Sequence, residues 1–99
     1  MNKRSILTIL KAEKSQLERE FFIEQLGLFG SFVSGTNTEK SDIDIAYQIK
    51  KGHSLGFDGK LRLTAYLKEK LDKKNIDLVP LKYMNPAIRA KVDSQIIYV

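Results

Sequence analysis

Helical and extended hydrophobic patterns alternate along this chain of 99 residues. Residues 6–21 carry apolar side chains at spacings of three, four and seven, the period of an amphipathic helix, with Ser5 as the expected N-cap. Residues 22–29 form a short apolar run that ends at Gly30, and residues 43–49 are apolar at every second position, as strands are. This interleaving predicts an α+β fold, a small mixed β-sheet with helices packed on it.

The second half of the chain continues the alternation. After a connection over residues 52–59, a helix is expected to end near Asp72, with Asn75 closing it and Tyr66 facing away from its apolar arc. That arc is predicted to contain Phe57, Leu61, Leu63, Ala65, Leu67 and Leu71. A third strand is expected over residues 76–81, a helix beginning at Asn85-Pro86, and a last strand over residues 96–99.

Length and composition limit the class of protein. We expect residues 1–99 to form a single domain with one modest core. No apolar run is long enough to span a membrane and no secretory signal is evident, so a cytoplasmic location is expected. The net charge of +5 could attract ATP or RNA, but the lysines are scattered. The densest group, residues 68–74, alternates with acids and is typical of a solvated helix surface.

Two carboxylates stand one residue apart at the start of the second strand. Because alternate residues of a strand share a face, Asp42 and Asp44 are expected to project together, with Ile43 and Ile45 pointing into the core. Adjacent carboxylates repel each other, and a divalent cation between them offsets that cost. Mg²⁺ favours a few carboxylates, water and substrate phosphates. A solvated pair of acids in a turn is the alternative for an isolated Asp-x-Asp.

A glycine–serine turn precedes this pair. Gly30 lets the backbone approach a phosphate closely, and the N–H and hydroxyl of Ser31 are candidate donors to phosphate oxygens. Two rival motifs fail at named positions. A P-loop would require lysine at Thr36, and a calcium loop beginning at Asp42 would require glutamate at His53.

Gly30-Ser31 followed after ten residues by Asp42-Ile43-Asp44 resembles the signature of the DNA polymerase β-like nucleotidyltransferase superfamily. At this size the chain is similar to the minimal nucleotidyltransferases of prokaryotes, the MntA-type antitoxins. The resemblance spans nearly the whole chain and implies the nucleotidyltransferase fold. It also includes Ile76-Asp77-Leu78-Val79, where that family places a third carboxylate, so Asp77 is the matching position.

The resemblance implies a Mg²⁺-dependent enzyme that transfers a nucleotide from ATP or another NTP. Asp42, Asp44 and Asp77 would be the catalytic and metal-binding residues for two ions, and Gly30 and Ser31 would bind the nucleotide. The acceptor in that family is a tyrosine hydroxyl of a HEPN-domain, HepT-type toxin, so an antitoxin acting on a protein is expected. No direct nucleic-acid binding is expected.

An alternative is a non-catalytic antitoxin that neutralises its toxin by binding alone, using the apolar segments 21–22 and 96–99 as an interface. Three clustered carboxylates argue against it, since a pure binder has no use for their repulsion. Many relatives carry an arginine shortly after the glycine–serine pair. Ser34 occupies that place here, and Lys40 and Lys50 are the candidate replacements.

Overall fold

The computed structural model describes residues 1–73 and 75–99 and contains a four-stranded mixed sheet with helices on it. The elements in chain order are α1 (Lys3–Phe21), β1 (Ile23–Phe29), α2 (Ser31–Ser34), β2 (Ile43–Ile49), α3 (Gly56–Leu71), β3 (Ile76–Pro80), a 3₁₀ turn (Leu81–Tyr83), α4 (Pro86–Asp93) and β4 (Ile97–Tyr98). The predicted α+β fold is therefore confirmed. No helix among the described residues is long and apolar enough to cross a bilayer.

Sheet order is β3-β2-β1-β4, so β3 and β4 are the edge strands. β1 pairs antiparallel with both β2 and β4, whereas β2 and β3 run parallel. The parallel pair is connected through α3, the crossover that parallel strands require. Because β1 ends where β2 begins, Phe29 lies opposite Asp44, and the glycine–serine turn meets the predicted metal pair at one end of the sheet.

The core lies between the sheet and the helices α1 and α3, which contact each other. Ile43, Ile45 and Tyr47 of β2 are buried there, as the alternation predicted. From α1 the core receives Ile6, Leu10, Leu17 and Phe21, and from α3 it receives Leu63, Leu67 and Leu71. Alternation on β2 therefore directs Asp44 to the face of the sheet away from this core.

The caps of α1 and α3 differ from the predicted ones. Asn2, not Ser5, is the N-cap of α1; Ser5 completes a capping box by bonding back to the Asn2 N–H at 3.0 Å. Helix α3 ends at Asp72 in a left-handed conformation, so Asn75 does not close it. The Asn75 carbonyl instead accepts the Ile43 N–H at 2.9 Å, which joins the starts of β3 and β2.

The predicted apolar arc of α3 was partly wrong. Phe57 and Leu61 are exposed, as is Ala65, whereas Tyr66 packs edge-on against Phe21 with ring centroids 5.8 Å apart. The predicted arc combines two sets of apolar residues, 57/61/65 and 63/67/71, and within each set the residues are four apart. Residues two apart on a helix are separated by about 200° around its axis, so the stripe 57/61/65 cannot share a face with 63/67/71. Lys68 and Lys70 are solvated as expected, and Lys74 lies outside the described residues.

Candidate active site

The turn between β1 and α2 places Gly30 directly against Asp44. Gly30 has φ +81° and ψ −153°, a backbone conformation essentially restricted to glycine. A Cβ added at Gly30 would lie 2.1 Å from Asp44 Oδ2. Glycine is therefore required at this position both by the backbone conformation and by the carboxylate that occupies the space of a side chain.

Ser31 is the first residue of α2. The N–H groups in the first turn of a helix have no intrahelical acceptor, so the Ser31 N–H is available to an anion. Its carbonyl accepts the N–H of Gly35 at 2.9 Å and of Thr36 at 3.1 Å, which closes the short helix. The turn predicted at Gly30-Ser31 is therefore the start of a single helical turn.

Gln95 was missed by the sequence reasoning. Its Oε1 accepts the Gly30 N–H at 2.8 Å, across 65 residues of chain. The Gly30 N–H is thus already bonded inside the protein, so of the two predicted residues Ser31 is the one that offers its N–H to a ligand. Gln95 lies between α4 and β4, and no local pattern distinguishes it from any other polar residue in a connection.

Asp77 lies beside Asp44 on the neighbouring parallel strand. The β2–β3 register pairs the two residues directly, and side chains of paired residues project from the same face of a sheet. Asp77 is exposed while Leu78 is buried, which shows that Asp77 points away from the core. The sequence alone did not determine which face of the strand Asp77 uses.

Asp42 is held just before β2 by a turn. The Thr38 N–H donates to Ser41 Oγ at 2.7 Å, and the Ser41 N–H donates to the Thr38 carbonyl at 3.1 Å. Asp42 follows this turn directly and is exposed. The three predicted carboxylates therefore approach the same end of the sheet, from a loop and two adjacent strands.

The pKa of Asp44 is shifted by its surroundings in the cluster. Partial burial, followed by the negative charges of Asp77 and Asp42, raises the pKa of Asp44 to about 6. The ion pairs of the described residues lie elsewhere, on α1, between α1 and α3, and on α4. Across residues 1–73 and 75–99, no three Asp, Glu, His or Cys side chains already form a group that could hold a metal ion.

Lys50 cannot replace the arginine missing at Ser34. Its N–H donates to the Phe22 carbonyl at 2.8 Å, at the far end of β2 from the carboxylates. Lys50 is six positions along the chain from Asp44, so their backbones are about 20 Å apart at the rise of a β-strand. Lys40 remains near the site, exposed in the turn before Asp42.

The arrangement of these residues and the sequence together define the class of protein. The pattern of the family described as "Polymerase beta, Nucleotidyltransferase" matches residues 11–99, and the chain belongs to that family. It is therefore a nucleotidyltransferase, as the resemblance to the polymerase β-like superfamily implied.

Individual proteins and solved structures are also similar to this chain. The protein adenylyltransferase MntA of Thermococcus cleftensis is 34% identical over 95 residues, covering 95% of this chain and 92% of the relative. A solved structure described as a minimal nucleotidyltransferase is 25% identical, with a TM-score of 0.80 over 98% of this chain and 95% of the other. A toxin–antitoxin structure with AMP-PNP is 26% identical, with a TM-score of 0.67 over 99% and 72%.

Proposed function

We propose that this protein is a Mg²⁺-dependent protein adenylyltransferase that acts in the cytoplasm as the antitoxin of a HEPN-domain, HepT-type toxin. It would transfer AMP from ATP to a tyrosine hydroxyl of that toxin. The observation that carries the proposal is the convergence of Asp42, Asp44 and Asp77 beside the Gly30-Ser31 turn.

The three carboxylates have the donor chemistry of a divalent-cation site, although no three acidic side chains of the described residues stand close enough together to form a ready-made metal site. Their donors are hard oxygens, the type that Mg²⁺ binds, and repulsion from Asp77 and Asp42 contributes to the raised pKa of Asp44. No ion pair among the described residues neutralises this charge. Asp42 and Asp44 would hold both of two ions and Asp77 would complete the set. The ions would supply charge stabilisation to the attacking and leaving oxygens of the transfer.

The residues of the chain have separate roles in the proposed reaction. Ser31 donates its N–H and hydroxyl to phosphate oxygens of ATP, while Gly30 allows the phosphates to approach Asp44 closely. Asp77 accepts the proton of the acceptor hydroxyl, directly or through water. The hydroxyl oxygen forms a bond to the α-phosphorus, the bond from the α-phosphorus to the bridging oxygen breaks, and pyrophosphate leaves with that electron pair.

The relatives support a protein acceptor. The Thermococcus protein is named as a protein adenylyltransferase, and the solved toxin–antitoxin structure contains an ATP analogue. Both proteins agree with the MntA-type resemblance of the sequence. They favour a partner protein over a small molecule as the source of the hydroxyl.

The binding-only alternative keeps only part of its two interface segments. Phe21 is buried in the core, and Ile97 and Tyr98 pair with β1 at the edge of the sheet, whereas Phe22 and Tyr98 remain exposed. The cluster of acids, in contrast, has no use in a pure binder, because the repulsion from Asp77 and Asp42 that adds to partial burial in raising the pKa of Asp44 brings it no benefit. The acid cluster therefore supports the enzyme over the binding-only antitoxin.

The proposal is tested with a HEPN-domain, HepT-type toxin, the class of acceptor that it names. Purified toxin is incubated with the chain, Mg²⁺ and ATP labelled at the α-phosphate, and toxin RNase activity is followed in parallel. We expect label on the toxin and loss of its RNase activity, both abolished by Asp44→Asn. Full inhibition of the toxin by Asp44→Asn without label would establish the binding-only antitoxin instead.

A further inference from the structure

A second concave site lies at the opposite end of the parallel strands from the carboxylates. It encloses about 760 Å³ where β2 and β3 end, with Tyr47, Pro80 and Tyr83 among its walls. Tyr47 pairs with Pro80 in the same register that pairs Asp44 with Asp77, three residues earlier. The cavity is thus about 10 Å along the strands from the carboxylates, at the rise of a β-strand, and is not part of their cluster.

The rim of this cavity is basic. Lys50, Lys51, Lys60 and Lys82 all line it. Its one acidic residue, Glu24, already accepts a hydrogen bond from Gln48 Nε2 at 3.1 Å. None of the four lysines takes part in an ion pair with any residue in 1–73 or 75–99. The cavity therefore offers uncompensated positive charge.

Large apolar side chains stand exposed next to this rim. Phe57 is 80% exposed and Leu61 56% exposed, one turn apart on α3, and Tyr83 is 78% exposed. Phe57 and Leu61 directly follow the lining residues Gly56 and Lys60 in sequence. The sequence pattern predicts Phe57 and Leu61 as core residues, but both lie in solvent beside a basic cavity. Apolar anchors next to a charged rim are the composition of a protein interface.

We infer that this surface, the cavity together with Phe57 and Leu61, is the docking site for the acceptor protein, through a segment that presents apolar side chains flanked by acidic residues. The inference rests on the proposed function and adds to it the surface and chemistry of the partner contact. Hereafter this surface is called the β3–α3 flank.

Charge and position favour a protein over a nucleic acid as the occupant. Phe57 and Leu61 match apolar anchors of a protein partner, and the four lysines match its acidic residues. A protein held at the end of β3 can present one hydroxyl to Asp77, on the same strand, without placing further negative charge there.

The test measures binding of a HEPN-domain, HepT-type toxin to the full chain by titration calorimetry. Phe57→Ala/Leu61→Ala should weaken binding at least about tenfold, since buried interface anchors dominate affinity. Lys60→Glu/Lys82→Glu should weaken it about tenfold at low salt and reduce its salt dependence. Matched controls are Tyr98→Ala at the opposite sheet edge and Lys3→Glu/Lys11→Glu on α1, which should bind as the unmodified chain does.

Each result has one consequence, provided that each variant keeps the thermal unfolding temperature of the unmodified chain. If both flank variants bind the toxin with unchanged affinity, the docking inference is wrong while the proposed function stands. If the unmodified chain neither binds nor labels the toxin, the proposed function fails and the inference fails with it. If the flank variants lose binding to an RNA oligonucleotide but keep the toxin, the flank is a nucleic-acid site.

Discussion

Gly30→Ala isolates the contact on which the candidate site depends. The substitution places a methyl group in a backbone conformation that side chains rarely adopt, at a strain of about 1–3 kcal/mol. It also brings Cβ to 2.1 Å from Asp44 Oδ2 and 2.9 Å from Asp44 Cγ, so the carboxylate or the turn has to move. Overpacking of this kind adds about 1–3 kcal/mol, which makes the expected total about 2–6 kcal/mol.

Gly35→Ala is the matched control. Gly35 has the same φ of +81°, but a Cβ there would meet nothing within 4 Å. Its cost is the left-handed strain alone, about 1–2 kcal/mol. The difference between the two variants therefore reports the contact with Asp44 together with any extra strain of the Gly30 backbone, whose ψ of −153° differs from the 12° of Gly35.

The assay is thermal unfolding combined with calorimetric titration of ATP in the presence of Mg²⁺. Each kcal/mol lowers Tm by about 4–8 °C in a domain of this size. Gly30→Ala should lower Tm clearly more than Gly35→Ala and should also weaken ATP binding, whereas Gly35→Ala should bind ATP normally. Equal Tm values and equal ATP affinities for the two variants would refute the packing of Gly30 against the Asp44 carboxylate and its link to ATP binding.

Three further predictions concern Asp44, Gln95 and α3. The pKa of Asp44, about 6, lies above its usual 3.8, so the ionised carboxylate destabilises the fold above pH 6, and this cost disappears below pH 3.8. Without Mg²⁺, Asp44→Asn should therefore raise Tm at pH 7.5, and the increase should shrink between pH 6 and pH 4. Gln95→Ala removes the acceptor of the Gly30 N–H and should cost about 0.5–1.5 kcal/mol in urea unfolding and weaken ATP binding, whereas a purely structural role would leave ATP affinity unchanged. Leu67→Ala should cost about 2–5 kcal/mol by denaturant unfolding because Leu67 is buried, whereas exposed Leu61→Ala should stay within about 0.5 kcal/mol; comparable losses would contradict the assigned helix face.

The strands and the carboxylates were predictable from local pattern. Alternation over Ile43–Ile49 predicted that Ile43, Ile45 and Tyr47 of β2 face the core, and Gly30-Ser31 with Asp42-x-Asp44 indicated the candidate site through their resemblance to a family signature. The position of Asp77 came only from the family resemblance. Its register beside Asp44 depends on the pairing of two strands separated by α3, which no local pattern encodes.

The misassigned features depend on tertiary contacts. Both stripes of α3 are apolar, and only the placement of α1 and the sheet selects 63/67/71 for burial. Gln95 contacts Gly30 because β4 returns to pair with β1, a connection that brings distant residues together. The same tertiary arrangement exposes Phe57 and Leu61, so the docking inference was not accessible from the sequence.

The most direct test of the account is intact-mass spectrometry of the HEPN-type toxin after incubation with the chain, ATP and Mg²⁺, joined to peptide mapping of the modified residue. We predict a mass increase of one or more AMP groups on tyrosine. Omitting Mg²⁺, or replacing Asp42, Asp44 or Asp77 with asparagine, should abolish the increase. A toxin of unchanged mass that is nevertheless inhibited by the chain, equally well by the three asparagine variants, would contradict the account.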